Sequence, residues 1–296
     1  MPEHDLNAEG GHRGEGAFER IAIVGLGLIG GSLGLAVRRA WPQAFVLGVD
    51  SREDAVSEAL SRHVVHAGAT DIRAAGDAGL IVLAAPVRAN LAALPALVRH
   101  ALPTAILTDA GSTKRAIVEA WRVSGGRQRF VGGHPLAGAA SSGLADASAG
   151  LFTGRKWVFT PEDDCPADIV GRLEAFVAAL GAVPCTMTAD AHDRVMAVVS
   201  HLPQLAASAL MQVVGDMSGE AGLALAGTGL ADTTRIASSA PGIWRDICAT
   251  NADTIRPALA GYIQALQGLC DDLPQGDELE RVFDRARAWR DRLARA

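Results

Sequence analysis

The amino-acid sequence predicts an α/β domain built on a largely parallel sheet, followed by an all-α domain. Up to about residue 187, short apolar runs bounded by glycine or proline alternate with helix-like stretches of roughly ten residues, a pattern typical of parallel strands covered by helices. After residue 188 the strand signals stop, and helical composition continues to the end of the chain. We therefore predict a first domain at 20–187, a helical domain at 188–296, and a polar, glycine-rich flexible tail at 1–19.

Seven strands are predicted in the first domain, because seven apolar runs are bounded by glycine, proline or polar residues. The runs cover residues 21–25, 45–50, 79–86, 105–111, 129–135, 156–161 and 183–188, and each is expected to contain one strand. The helices between them cover residues 52–62, 90–102, 114–123 and 168–181.

In the second domain, helices are predicted at 189–217, 229–239, 241–251, 253–269 and 277–296. Pro203 lies inside the first of them and predicts a kink or break, because proline lacks the backbone N–H. The last helix has mixed charge and is expected to be an exposed surface helix. Apolar helices in so small a domain need a covering surface, so we expect a homodimer formed through this domain.

The composition indicates a packed globular protein. Of the 296 residues, 49% are hydrophobic and 20% are charged, and the formal net charge is −6. This acidic balance disfavours a nucleic-acid or anionic-membrane partner, so an anionic substrate requires locally placed arginines. The four cysteines are scattered without a CxxC pair, which fits neither a zinc site nor a disulfide framework. We expect no metal, and buried free thiols in a cytoplasmic protein.

Residues 21–37 run for 17 positions without a charge and call for a membrane check. A spanning helix needs about 20 apolar residues, and glycines this dense weaken a helix. We therefore expect no membrane span here, and no other stretch is predicted to be long enough.

The first predicted strand runs into a glycine-rich turn, Gly25-Leu26-Gly27-Leu28-Ile29-Gly30. A GxGxxG sequence alone is weak, and a plain glycine-rich turn is the alternative. Here it follows a strand, opens a helix, and precedes by twenty residues Asp50, which ends the second strand. These are the conditions for the dinucleotide-binding fingerprint of a Rossmann-type domain, in which a helix N-terminus faces the pyrophosphate. The predicted cofactor contacts are Gly25, Gly27, Leu28, Ile29, Gly30, Asp50, Arg52 and Pro86.

The acidic residue after the second strand bears on the choice of cofactor. Asp50 can accept hydrogen bonds from both ribose hydroxyls, and it repels a 2′-phosphate, which favours NAD over NADP. Arg52 lies two residues on and is able to pair with such a phosphate, so the strictness of the preference for NAD stays open.

A lone histidine stands in "GGHP", residues 132–135. Its flanks suit neither a helix nor a central strand, so we predict that His134 lies in a tight loop just after a strand end. Strand ends of a doubly wound sheet face the ligand, so His134 is a candidate acid–base group at the nicotinamide. A turn histidine that only caps a carbonyl is the alternative. Ser112 is either a hydroxyl within reach of His134 or the cap of a helix that begins at Lys114.

Five stretches together resemble the prephenate/arogenate (cyclohexadienyl) dehydrogenase family of tyrosine biosynthesis. They are "GLGLIGGSLGLAV", "DAGSTK", "GGHPLAG…SG", "SHLP" and "TTRIASSAPGIWRDI". The likeness spans about residues 20–260, and the third and fifth stretches are the more specific ones. It implies a Rossmann domain followed by a helical dimerisation domain, with NAD as cofactor.

The resemblance also implies the reaction and the roles of individual residues. Hydride leaves the carbinol carbon of prephenate for the nicotinamide, while the ring carboxylate departs as CO2 and the ring becomes aromatic. His134 matches the family's catalytic histidine, which deprotonates the hydroxyl, and Ser112 matches the serine that orients it. Arg235 matches the arginine that holds a substrate carboxylate, which places the active site at the interface of the two domains.

Two residues of the helical domain bear on the identity of the substrate, and they do not decide it. His201 is either a satisfied core histidine or part of the substrate pocket, which the family often lines from this helix. Gln204 stands where many members have a second histidine, so it bears on the choice between prephenate and arogenate. We treat both as candidate substrate contacts.

Two other function classes are weighed against this one. A β-hydroxyacid dehydrogenase has the same architecture but relies on a lysine in its second domain, and the last lysine here is Lys156. An NAD-binding sensor would bind nucleotide without turnover, and it gives no reason for His134, Ser112 and Arg235 to occur together.

Overall fold

The computed structural model describes residues 16–126, 129–138 and 143–295. Most of the predicted tail therefore lies outside the described residues. Its end does not: Phe18 is buried and packs edge-on against Phe176 with ring centroids 5.7 Å apart. The packed domain thus begins before residue 20.

The first domain is built on an eight-stranded sheet in the order β3-β2-β1-β4-β5-β6-β7-β8. The strands are β1 (Arg20–Val24), β2 (Phe45–Val49), β3 (Ala67–Ala69), β4 (Leu80–Leu83), β5 (Ile106–Asp109), β6 (Arg129–Pro135), β7 (Lys156–Thr160) and β8 (Val183–Thr186). All neighbours pair in parallel except β6 and β7, which are antiparallel. The seven predicted strands are present. The sequence missed β3, an Ala-Gly-Ala segment with none of the β-branched residues that indicate a strand.

Helices cover both faces of this sheet. They are α1 (Leu28–Ala40), α2 (Glu53–Ser61), α3 (Val87–His100), α4 (Arg115–Ser124) and α5 (Ala167–Ala179). The alternation along β1 shows the two layers: Ile21 and Ile23 join one buried cluster, whereas Ala22 and Val24 join the other. The predicted doubly wound architecture is therefore confirmed, and its strand order reverses between β1 and β4.

The glycine turn after β1 is shaped by close contacts of the backbone. Gly25 has φ +99°, a conformation that side chains disfavour, and a Cβ there would lie 2.5 Å from the backbone nitrogen of Ala85. A Cβ on Gly30 would lie 1.9 Å from the carbonyl oxygen of Gly25. The first turn of α1 thus packs directly on the end of β1.

The second domain is all-helical among the residues that the structure describes. Its helices are α6 (Ala189–Met196), α7 (Leu202–Leu223), α8 (Thr228–Thr234), α9 (Pro241–Thr250), α10 (Ala252–Asp272) and α11 (Asp277–Leu293). A π-helical turn at Ala197–His201 joins α6 to α7, and Pro203 follows it in the first turn of α7. The wider turn accommodates the proline ring, so the predicted break at Pro203 is a change of helix type.

The helical segment Ala189–Leu223 is, by length and composition, able to cross a membrane, with 22% of its most apolar window buried. The prediction that no stretch beyond residues 21–37 is long enough was therefore wrong. Residues 21–37 themselves form β1, the glycine turn and the start of α1, and lie in the core. Apolar residues of the helical domain are exposed in the single chain, among them Val198, Val213, Met217, Ile263 and Phe283.

All four cysteines are free thiols, as the sequence predicted. They are not all buried, however. Cys270, in α10, is exposed, and the other three are partly buried.

Two helical glycines test the packing of the glycine turn. We predict that Gly30→Ala lowers the free energy of unfolding by about 1–3 kcal/mol or more, because the added methyl group has no space against Gly25. Gly171→Ala, in α5, meets nothing within 4 Å and should raise that free energy by about 0.4–1 kcal/mol. Urea unfolding of the two variants measures both changes, and equal effects would contradict the packing argument.

Candidate active site

A cavity of about 1250 Å³ opens at the carboxyl ends of β1, β2, β4 and β5. The glycine turn and the start of α3 form one side. The helical domain forms the other, with lining residues Met196, Val199, Ser200, Ser239, Ala240, Ile243, Trp244 and Ile247. The cavity therefore lies between the two domains, at the point where the strand order reverses, which is where ligands bind in this architecture.

The glycine turn presents an uncapped helix to this cavity. Gly27 is the N-cap residue of α1, and among the described residues no side-chain cap accepts a hydrogen bond from the first turn. The backbone N–H groups that open α1 are therefore free to bind an anion, and the positive end of the helix dipole favours one.

Asp50 holds the turn in place. One carboxylate oxygen accepts a hydrogen bond from the backbone N–H of Leu26 at 2.9 Å, and the other accepts one from the N–H of Arg52 at 3.0 Å. The Arg52 guanidinium turns away and forms an ion pair with Asp54 at 2.6 Å. This hydrogen bond lowers the pKa of the Asp54 carboxyl.

Seven of the predicted cofactor contacts line the cavity: Gly25, Gly27, Leu28, Ile29, Asp50, Arg52 and Pro86. Gly30 does not line it and packs against Gly25 instead.

His134 lines the cavity from within a strand, not from a loop. The prediction of a loop was wrong, because β6 changes partners halfway along. Residues 129–131 pair with β5, and residues 132–135 continue the sheet by antiparallel pairing with β7, where His134 lies opposite Val158. Proline and glycine are tolerated at this point since the strand has left β5.

A buried ion pair fixes the strand just before His134. Lys114 and Asp109 contact each other in the interior and are both at most 2% exposed. The Lys114 ammonium donates to the carbonyl oxygen of Gly133 at 2.6 Å, and the N–H of Gly133 donates to Asp109 at 3.0 Å. Both backbone groups of Gly133 are thus held. A Cβ at residue 133 would lie 2.4 Å from the carbonyl oxygen of Asp109, which explains the glycine.

His134 is the first of three side chains in a hydrogen-bonded row. Its Nδ1 lies 2.8 Å from Nε2 of His192, and Nδ1 of His192 lies 2.8 Å from Oδ1 of Asp193. Burial lowers the pKa of His134 well below 6.5, and the nearby charges of His192, Lys114 and His201 lower it further. His134 is therefore neutral at pH 7, and no hydrogen bond joins its Nε2 to another described residue.

Asp193 also caps a helix of the first domain. Its carboxylate accepts from the backbone N–H groups of Lys114 at 2.8 Å and Arg115 at 3.0 Å, which open α4. Burial raises the pKa of Asp193, but hydrogen bonds from His192 and these N–H groups outweigh it, so that the pKa is lowered. Arg115 in turn makes two hydrogen bonds with Asp253 at 2.6 and 2.7 Å.

Ser112 lines the same cavity as His134. It is not the cap of α4, since Asp193 serves that end and the structure gives α4 no side-chain cap from its own N-cap residue. No hydrogen bond joins the described side chains of Ser112 and His134. The two share a cavity wall and are not hydrogen-bonded to each other.

The predicted substrate residues of the helical domain lie outside the cavity wall. His201 is 1% exposed, contacts Asn251 at 3.3 Å and stacks edge-on against Trp244, which does line the cavity. Burial lowers the pKa of His201 to about 4. Gln204 donates to the carbonyl oxygen of Ile236 at 2.8 Å. Arg235 is exposed, in the 3₁₀ turn that Gln204 holds.

His192 and Asp193 were not singled out from the sequence. Their dipeptide opens an amphipathic helix, where a polar pair is usually a solvated face. Both side chains are instead completely buried, and only the fold brings them to His134, 58 residues earlier. Among the described residues, no group of three His, Cys, Asp or Glu side chains is arranged to hold a metal ion.

Two family models match the chain. "Prephenate dehydrogenase, nucleotide-binding domain" covers residues 33–185, and "Prephenate dehydrogenase, dimerization domain" covers residues 188–284. The chain belongs to the prephenate dehydrogenase family. The predicted family, enzyme class and nucleotide-binding first domain are thereby confirmed.

Individual members of the prephenate dehydrogenase family are similar over almost the whole chain. The prephenate dehydrogenase of Bacillus subtilis is 33% identical over 93% of this chain and 76% of its own length. The structure of prephenate dehydrogenase from A. aeolicus in complex with hydroxyphenyl propionate and NAD+ has a TM-score of 0.86 and 29% identity, covering 94% of this chain and 99% of that one. Synechocystis arogenate dehydrogenase has a TM-score of 0.77 and 30% identity, covering 93% and 99%.

Proposed function

We propose that this protein catalyses the NAD-dependent oxidative decarboxylation of prephenate to 4-hydroxyphenylpyruvate in tyrosine biosynthesis. The observation that carries the proposal is a neutral His134 in the same inter-domain cavity as the uncapped glycine turn. Arogenate, with an alanyl side chain in place of the pyruvyl one, is the alternative substrate. The similarity to Synechocystis arogenate dehydrogenase and the presence of Gln204 support arogenate as this alternative.

The fit to NAD rests on the glycine turn. Bound NAD supplies the acceptor for the hydride that leaves the carbinol carbon. The free N–H groups at the start of α1 suit its pyrophosphate, and Gly25 and Gly30 allow the backbone to come close. Each carboxylate oxygen of Asp50 keeps a lone pair for a ribose hydroxyl after its backbone hydrogen bond. Arg52 is paired with Asp54, which leaves it less able to hold a 2′-phosphate.

His134 acts as the general base in this proposal. Its Nδ1 is engaged by His192, so Nε2 takes the hydroxyl proton of the substrate as hydride departs. The lowered pKa keeps the ring unprotonated at neutral pH. Ser112, on the same wall, orients the substrate hydroxyl.

Arg235 supplies the carboxylate anchor. Its guanidinium has no ion pair or hydrogen bond to the other described residues, and the segment that carries it leads within five residues to Ser239 and Ala240 on the cavity wall. Gln204 fixes that segment by accepting a hydrogen bond from Ser239 at 3.2 Å and donating one to Ile236. His201 supports Trp244 from behind.

We also propose a cytoplasmic homodimer formed through the helical domain. The exposed apolar residues of α7 and α10 need a cover, and the second family model is that of a dimerization domain. The long apolar helix Ala189–Leu223 then meets protein and not lipid.

The reaction itself is tested by the rate of reduced nicotinamide formation. We expect turnover of prephenate with NAD, and a lower kcat/KM with NADP because of Asp50. Arogenate measured side by side decides the substrate: a higher kcat/KM with arogenate would replace prephenate as the substrate, and no turnover of either would refute the proposal.

His134→Asn should lower kcat by about 10²–10⁴-fold, the share usual for a positioned base, and leave NAD affinity unchanged. In the wild type, kcat/KM should rise with pH as His134 loses its proton. Because its pKa is lowered, that rise should be complete by about pH 6.5, the ordinary value for histidine.

The matched control is His63→Asn. His63 is exposed and has φ +54°, which asparagine tolerates, so this variant should keep the wild-type profile. If His134→Asn kept the wild-type rate, or the same acid limb, His134 would be structural.

Arg235→Gln should raise KM for the substrate roughly 10- to 100-fold, the worth of a hydrogen bond to a charged group, and leave the KM for NAD nearly unchanged. Arg256→Gln removes an exposed arginine of α10 and serves as the control. Steady-state kinetics with each substrate varied in turn separates the two effects, and an unchanged substrate KM would remove Arg235 from the site.

A further inference from the structure

We propose that His192 and Asp193 are positioning residues that fix the ring of His134 in the one tautomer able to act as a base, and that His192 then receives the positive charge. The proposal rests on the proposed function only in its second half, where His134 accepts the substrate proton. The first half concerns the protein without substrate.

The tautomer follows from the three side chains in order. The Asp193 carboxylate can only accept, so the proton between it and His192 belongs to Nδ1 of His192. A neutral His192 therefore has a lone pair on Nε2. The hydrogen bond of 2.8 Å to His134 then requires the proton to be on Nδ1 of His134. Nε2 of His134 is left unprotonated, as a base must be.

Asp193 is held as a carboxylate by groups from both domains. Three backbone or guanidinium donors surround it besides His192: the N–H groups of Lys114 and Arg115, and Nε of Arg115 at 3.3 Å. A carboxylate with this many donors stays ionised. Asp193 therefore always accepts the hydrogen bond from His192, and His192 accepts the one from His134. If Asp193 were protonated, it could donate to His192, and the tautomers of both histidine rings would no longer be fixed.

The proton balance also gives the row a role during turnover. The O–H bond of the substrate breaks and an N–H bond forms at Nε2 of His134. The proton on Nδ1 of His134 can then move to Nε2 of His192. The charge ends on His192, beside the Asp193 carboxylate, and His134 is neutral again. The proton returns through His134 to solvent when product leaves.

The row loses its base at low pH, when Nε2 of His134 is itself protonated, so the acid limb of the reaction reports the protonation of His134. Other charged or titratable groups around the pair are Lys114, Arg115, Asp109, His201 and Asp253.

A purely structural reading of the dipeptide is the competing one. Asp193 caps α4 of the first domain, which joins the two domains. Its backbone carbonyl accepts hydrogen bonds from Asn251 at 2.9 Å and Thr254 at 3.4 Å, which hold α6 to the start of α10 within the helical domain. A structural role predicts lost stability upon substitution, without any change in the tautomer of His134 or in the pH profile.

The first experiment reads the tautomer directly, without substrate. In ¹⁵N NMR of protein labelled at histidine, the signal pair that disappears in His134→Asn is that of His134. We expect Nδ1 protonated and Nε2 unprotonated at pH 7. The reverse pattern would overturn the proposal whether or not the protein turns over prephenate.

The second experiment substitutes His192 by glutamine, which can accept the hydrogen bond from His134 but cannot take up its proton. We expect kcat to fall about 10- to 100-fold, less than the full share of a general base, with the KM for NAD unchanged. The acid limb should move to higher pH, because the interaction with His192 lowers the pKa of His134 and a neutral glutamine does not.

Thr254→Val is the matched control. It removes hydrogen bonds to Asp193 and Asn251 at the same junction but leaves the row of rings intact. It should lower Tm while keeping both kcat and the acid limb. If His192→Gln behaved like Thr254→Val, with lost stability and an unmoved acid limb, the dipeptide would be structural only.

Discussion

The carboxylate of Asp193 is the constraint on which the arrangement of this protein depends. It belongs to the helical domain, yet it closes the first turn of α4 in the other domain through two backbone N–H groups. A helix N-terminus buried without such an acceptor is costly, and an anion beside its dipole is favoured. The same carboxylate orients His192. One of the contacts that join the two domains therefore also orients the histidine that is hydrogen-bonded to His134.

A second buried charged group, the ammonium of Lys114, contacts β6 just before His134. Lys114 loses its hydration entirely, and burial lowers its pKa, while the Asp109 carboxylate and the Gly133 carbonyl oxygen compensate. Removing one partner of such a pair commonly costs about 3–5 kcal/mol, because the other charge is left without a counterion in the interior. The pair fixes the position of the backbone next to His134, because it forms hydrogen bonds with both the N–H and the carbonyl oxygen of Gly133.

The sequence predicted most of the first domain because its strands and its glycine turn carry local signals. It missed β3, since Ala-Gly-Ala has no β-branched residue, and it placed His134 in a loop. Glycine and proline are typical of neither a helix nor a central strand. Where they occur, however, β6 no longer pairs with β5 and pairs with β7 instead. His192 and Asp193 had no local signal at all. Their meaning comes from a partner 58 residues earlier in the chain, which a single sequence does not reveal.

The exchange of partners along β6 makes chain length matter as much as residue identity. Successive side chains of a strand point to opposite faces of the sheet, so a shift by one position reverses every one of them. The β5-paired half of β6 is anchored by its buried side chains, and the β7-paired half carries His134. One residue inserted between the two halves would turn the imidazole of His134 to the other face of the sheet, away from the cavity. The other residues of the site would all still be present. Natural insertions and deletions should therefore be found in the connections on either side of β6, and not within it.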